Sequence, residues 1–194
     1  LITIMGLWMA FSQVGALITA NNAAQQEGEA PIEVNLQDVH AGDADTSGIS
    51  SAWKNVVLTG LGGEKHRLSD FKGEPVYFEF WGSWCSSCVQ DLDQITDVWR
   101  EHEGLGDVRV VSVVVPGFYG ERSPEDFAAW AQENNVELPV YMDTKSSLAT
   151  YLGVAAFPTS VFIDSSGNIA KIRIGAIDRD ELEELLGKLA KGEL

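Results

Sequence analysis

The chain has 194 residues, of which 45% are hydrophobic, so it is long enough and apolar enough to bury a core and is not disordered throughout. Its 29 acidic and 13 basic side chains leave a net charge of −16, which repels phosphate backbones and anionic lipid heads and excludes general nucleic-acid binding. Only two cysteines are present, so a disulfide-stapled scaffold is excluded and at most one bridge forms.

Residues Leu1 to Ala20 carry no charge, and the first charged side chain is Glu27. At helical rise such a stretch spans roughly 30 Å, the thickness of a bilayer core. The segment is expected to be a signal peptide or a membrane anchor; a buried soluble helix is the alternative. Residues 21–52 hold acids but no Lys or Arg before Lys54, lack hydrophobic periodicity and are rich in Gly, Ser, Ala and Asn, which predicts a flexible acidic linker.

From Trp53 onward the pattern is that of a folded domain, expected over residues 53–194. Val56–Leu58 and His66–Leu68 flank a turn containing Gly60, Gly62 and Gly63, which predicts a short hairpin. Pro75–Trp81 (PVYFEFW) is apolar on both faces apart from Glu79, as in a central strand. A helix is predicted from about Cys85 to His102, with Val89, Leu92, Ile95, Val98 and Trp99 along one side. Val108–Val115 reads as another buried strand. Ser123-Pro124-Glu125-Asp126 starts a helix, a shorter one runs from Ser146 to Leu152, and Thr159–Ile163 and Ile169–Ile174 are strands joined by an Asp-Ser-Ser-Gly-Asn turn. The last helix begins at Asp178, with Glu181 at capping-box spacing and Leu182, Leu185, Leu186 and Leu189 as its apolar stripe. Strands alternating with helices predict an α/β fold whose central mixed β-sheet is flanked by helices, with an N-terminal hairpin extension and a final antiparallel hairpin.

Both cysteines lie in Trp84-Cys85-Ser86-Ser87-Cys88, at a strand-to-helix junction. Cys85 falls at the helix N-terminus, where free backbone N–H groups and the dipole favour a thiolate. Cys88 lies nearly one turn further, on the same face, and is expected to be more buried. That order assigns attack on an outside disulfide or sulfenic acid to Cys85 and release of the mixed disulfide to Cys88. Haem attachment requires His after the second Cys, where Val89 stands. Zinc requires two further paired ligands, and His40, His66 and His102 do not supply them at a recognised spacing. Two inert core cysteines remain as an alternative reading.

The run Phe80-Trp81-Gly82-Ser83-Trp84-Cys85-Ser86-Ser87-Cys88 resembles the F-W-x-x-W-C-x-x-C signature of the thioredoxin superfamily. An insertion, Pro116 to Asn135, and the run Phe157-Pro158-Thr159 resemble the extracytoplasmic thiol–disulfide oxidoreductases of the TlpA/ResA type. The resemblance implies a thioredoxin fold with an inserted helix and a redox-active disulfide between Cys85 and Cys88. It also implies a cis bond at Pro158 in a loop that receives substrate, with Trp84 and Phe157 on the reactive surface. Glu79, six residues before Cys85, is implied to be buried under the pair with a raised pKa and to take a proton from Cys88; a solvated edge-strand Glu is the alternative. Asp91, Asp93 and Asp97 are expected on the exposed side of the helix.

The implied activity is that of an exported, membrane-tethered protein-disulfide reductase, extracytoplasmic and anchored or secreted. It would act on protein disulfide or thiol substrates, for example a methionine sulfoxide reductase or an apocytochrome c. Electrons would come from a membrane thiol carrier, and membrane contact would be made only through the N-terminal segment. No cofactor and no metal is expected. The alternatives are a disulfide-forming oxidant, a peroxiredoxin-like peroxidase (which requires Thr and Pro just before its Cys, where Ser83 and Trp84 stand) and a non-catalytic binding module.

Overall fold

The computed structural model describes residues 54–71 and 73–194, apart from the side chains of residues 103 and 104. The expectations for residues 1–20 and 21–52 lie outside the described residues. The elements in chain order are β1 (Val57–Gly60), β2 (Lys65–Arg67), a 3-10 turn (Leu68–Phe71), β3 (Val76–Phe80), α1 (Ser86–Leu105), β4 (Arg109–Val114), α2 (Pro124–Glu133), β5 (Val140–Met142), α3 (Ser147–Tyr151), β6 (Thr159–Ile163), β7 (Ile169–Ile174) and α4 (Arg179–Lys191).

The strands form one sheet in the order β2-β1-β5-β4-β3-β6-β7. β3, β4 and β5 run parallel; β6 and β7 add an antiparallel edge on one side, and the β1–β2 hairpin adds the other through β5. β3 is central and all five of its residues are buried. Its alternation divides the core. Val76, Phe78 and Phe80 pack with Val111, Val113, Val161 and Ile163 against Leu148 and Leu152 near α3. Tyr77 packs on the opposite face with Val110 and Phe162 against Ile95 and Val98 of α1 and Leu182, Leu186 and Leu189 of α4. Each fully buried apolar side chain contributes about 1.5–3 kcal/mol, so these two layers dominate the stability.

The caps read from sequence form. Ser123 accepts the Asp126 N–H with Pro124 opening α2, and Asp178 accepts the Glu181 N–H at α4. The reciprocal half of the capping box is absent at α4, because the Glu181 carboxylate pairs with Arg173 at 3.2 Å instead. Several element ends differ from expectation by one to three residues, and one strand is additional. Leu68 opens the 3-10 turn rather than continuing β2. The strand β5 was not foreseen: it is three residues long, too short to show a period, and only its pairing with β4 and β1 defines it.

Candidate active site

β3 ends at Phe80, and the backbone continues along β4 for one more bond, Trp81 N–H to Val113 O. The chain then turns through Gly82-Ser83-Trp84, closed by the Cys85 N–H on Gly82 O at 3.0 Å. Cys85 is the N-cap of α1, with φ −86° and ψ 103°. Its sulfur accepts the Cys88 N–H at 3.3 Å, the bond a capping side chain makes to an orphan amide of the first turn. The two sulfurs are joined in a disulfide of 2.07 Å. Ser87 Oγ lies 3.4 Å from Cys85 Sγ.

The expected contrast in burial is small. Cys85 is 7% and Cys88 3% exposed, because both sit in a cluster with Trp81, Val114, Phe127 and Met142. What separates the two sulfurs is therefore position on the helix: Cys85 caps the positive end, while Cys88 stands inside the first turn.

The structure brings Trp84, Phe157 and Pro158 to the same place. Trp84 is 48% exposed and its ring meets Phe157 edge-on, with centroids 5.7 Å apart. Phe157 packs against the cluster that holds both cysteines. The Phe157–Pro158 peptide bond is cis, and β6 begins at the next residue. A buried disulfide thus lies beneath an exposed aromatic rim.

Glu79 is buried, contrary to the solvated alternative, because β3 lies between β4 and β6 rather than at an edge. In register it stands beside Ser112 and Ser160, on the face covered by α1 and α4. Tyr77 Oη donates to Glu79 Oε2 at 2.6 Å and Ser160 Oγ donates to the same oxygen at 2.8 Å. Loss of solvent pushes the Glu79 carboxyl up to about 7; the two hydroxyls pull it down and Asp91 pushes it up further. Burial also raises Tyr77 well above its ordinary value, so its hydroxyl remains a donor. Asp91 lies one turn beyond Cys88 and is half-buried, not on the exposed side with Asp93 and Asp97.

Tyr77 and Ser160 were not singled out from sequence. Tyr77 was accessible to such reading, since a period of two in VYFEF puts it on the face of Glu79. Ser160 was not, since it reaches Glu79 only through the β3–β6 register.

Residues 49–172, well over half of the chain, match the AhpC/TSA family. The chain is 27% identical over 139 residues to "Thiol-disulfide oxidoreductase ResA" of Geobacillus thermodenitrificans, covering 71% of this chain and 76% of that protein. It is 30% identical over 129 residues to "Thioredoxin-like protein YneN" of Bacillus subtilis, covering 66% and 73% respectively. Among solved structures, the pneumococcal exposed lipoprotein thioredoxin Etrx1 of Streptococcus pneumoniae superposes with a TM-score of 0.65 at 37% identity, covering 69% of this chain and 98% of that one.

Proposed function

The chain belongs to the AhpC/TSA family, and from that premise we propose that it is a thiol–disulfide oxidoreductase, exported and membrane-tethered, that reduces disulfides in extracytoplasmic partner proteins. One observation carries the reading: the Cys85–Cys88 disulfide sits at a helix N-cap under the Trp84–Phe157 rim. The names of similar proteins, "Thiol-disulfide oxidoreductase" and "exposed lipoprotein thioredoxin", support the activity and the location. The uncharged stretch Leu1–Ala20 supports the tether.

In the reduced protein, the Cys85 thiolate attacks one sulfur of a partner disulfide. An intermolecular S–S bond forms and a partner thiolate leaves. Cys88 loses its proton and attacks Cys85 Sγ, which restores the internal disulfide and releases the second partner thiol. Two electrons pass to the partner, and a membrane dithiol carrier returns two to the Cys85–Cys88 pair. Helix-end amides hold the Cys85 thiolate. Glu79 takes the Cys88 proton; Tyr77 and Ser160 both bond Oε2, so Oε1 is the oxygen that receives it. Trp84, Phe157 and the Pro158 loop form the surface on which a substrate backbone lies. A methionine sulfoxide reductase and an apocytochrome c are examples of the partner class, since each presents a disulfide that must be reopened.

The test is reduction of insulin by the full chain with dithiothreitol as electron source. Turnover that disappears in Cys85→Ala supports the proposal. No turnover at any pH favours a non-catalytic binding module, and peroxide consumption without a protein thiol partner favours a peroxidase. Faster oxidation of dithiol peptides than reduction of their disulfides favours an oxidant.

A further inference from the structure

The loop between β4 and α2, Pro116–Ser123, closes on itself through Gly117 N–H to Arg122 O at 2.8 Å and Glu121 N–H to Phe118 O at 2.8 Å. It grips the reactive surface at two points. Tyr119 packs its ring against Phe157, with centroids 5.3 Å apart, and donates its hydroxyl to Val154 O at 3.3 Å. Glu121 reaches the turn that leads into Cys85. Its side chain is only 2% exposed, yet it carries a carboxyl group. Oε2 accepts the Ser83 N–H at 2.6 Å, and Oε1 accepts the Ser83 hydroxyl and the Arg122 N–H. The Arg122 guanidinium stands 3.6 Å from Oε1, donates to Ser83 Oγ and lies over the Trp130 ring.

A buried carboxylate is costly unless donors replace its water, and here three do so. Two of them belong to Ser83. The close approach also requires Gly82, where a Cβ would stand 2.8 Å from Trp84 Nε1 and 3.3 Å from Glu121 Oε2. Ser83 lies inside the turn closed by Cys85 N–H to Gly82 O, so fixing its peptide fixes the backbone of the residue two positions on. Cys85 holds its sulfur on the Cys88 amide only while that backbone stays at φ −86° and ψ 103°.

We propose that Glu121 is a positioning residue for Cys85: through Ser83 it keeps the 82–85 turn closed and so holds the attacking sulfur at the amide end of α1. This rests on the reading of Cys85 as the attacking thiol. Of the ionisable groups, Glu121 and Arg122 on the inserted loop touch the turn through Ser83; Asp91 follows Cys88 by three residues on α1, and Glu79, bonded to Tyr77, precedes Cys85 by six on β3.

The experiment measures the rate of iodoacetamide alkylation of Cys85 in the reduced full chain against pH, with the modified residue identified by mass spectrometry. A thiolate released from a helix end loses roughly one pH unit of stabilisation. Glu121→Ala is therefore expected to move the profile up by about that much and to slow alkylation at neutral pH by up to about tenfold. Ser83→Ala, which removes one of the two bonds, moves it the same way by about two- to threefold. Glu121→Gln separates grip from charge: slower alkylation supports the proposal, and faster alkylation, as expected when a repelling charge is simply removed, overturns it. An unmoved or faster Glu121→Ala profile also overturns it. If Glu121→Ala does not fold by circular dichroism, the Ser83→Ala profile decides, and an unmoved one is contrary. Failure of the underlying activity shows separately, as absence of insulin turnover by the unmodified chain.

Discussion

Replacing Glu79 by Gln tests the electrostatics of the buried carboxyl. In the unfolded chain this group titrates near 4.5, and in the folded protein burial carries it up to about 7. Below both values it is neutral in either state and costs nothing. Between them the unfolded chain releases its proton while the folded protein keeps it, so stability falls as pH rises through this window. Above about 7 the loss is complete. The difference of 2.5 pH units at 1.36 kcal/mol each amounts to about 3 kcal/mol, an order-of-magnitude figure. Gln does not titrate, and its side-chain oxygen accepts from Tyr77 or Ser160 while its NH₂ must find a new acceptor. Near pH 4, Glu79→Gln is therefore expected to be no more stable than the parent, and about 1 kcal/mol less so if that NH₂ goes unpaired. By pH 8 the difference should have moved in favour of the variant by about 3 kcal/mol. Urea unfolding of the two oxidised proteins at intervals from pH 4 to 8 reads this directly, because titrating groups that do not interact with Glu79, Asp143 among them, cancel in the difference. A stability difference independent of pH would refute the reasoning, since it would place Glu79 in contact with water in the folded state.

Three further outcomes follow. In stopped-flow reaction with a disulfide peptide, Glu79→Gln should slow resolution of the mixed disulfide by about 10- to 100-fold while leaving its formation within about twofold; equal slowing of both steps removes Glu79 from proton transfer. Gly82→Ala forces the half-exposed Trp84 ring aside and crowds Glu121 Oε2, which should cost about 1–3 kcal/mol in thermal unfolding and raise KM for insulin; an unchanged KM argues against Trp84 as a docking surface. Asp178→Ala removes the α4 cap bond to Glu181 N–H and should cost about 1 kcal/mol in urea unfolding without altering insulin turnover.

The parts of this fold legible in the sequence are those set by local chemistry. Ser123-Pro124 and Asp178 announce helix starts because a capping oxygen lies within three residues of the amide it serves. The PVYFEFW run, apolar on both faces apart from Glu79, announces a central strand because both its faces are covered. Cys85 and Cys88 are placed by one helical turn. What escaped the sequence depends on register or on contacts far apart in the chain. The strand β5 exists because β4 and β1 accept it, not because of its three residues. Ser160 meets Glu79 across a strand pair, and Glu121 meets Ser83 from 38 residues away. Asp91 looks like one of three acids on a solvated helix face, and only the packing of α1 on the sheet brings it within electrostatic reach of Glu79. Near-equal burial of the two cysteines follows from their sharing one cluster with the Trp81 and Phe127 rings.

The division of labour between the two sulfurs is tested most directly by incubating reduced Cys88→Ala with a disulfide-bonded peptide and locating the covalent adduct by mass spectrometry. The account predicts a long-lived mixed disulfide on Cys85, formed as fast as in the parent protein and absent from reduced Cys85→Ala. A Cys85→Ala protein that captures the peptide through Cys88 just as quickly would contradict it, because the helix end would then confer no advantage on the first sulfur.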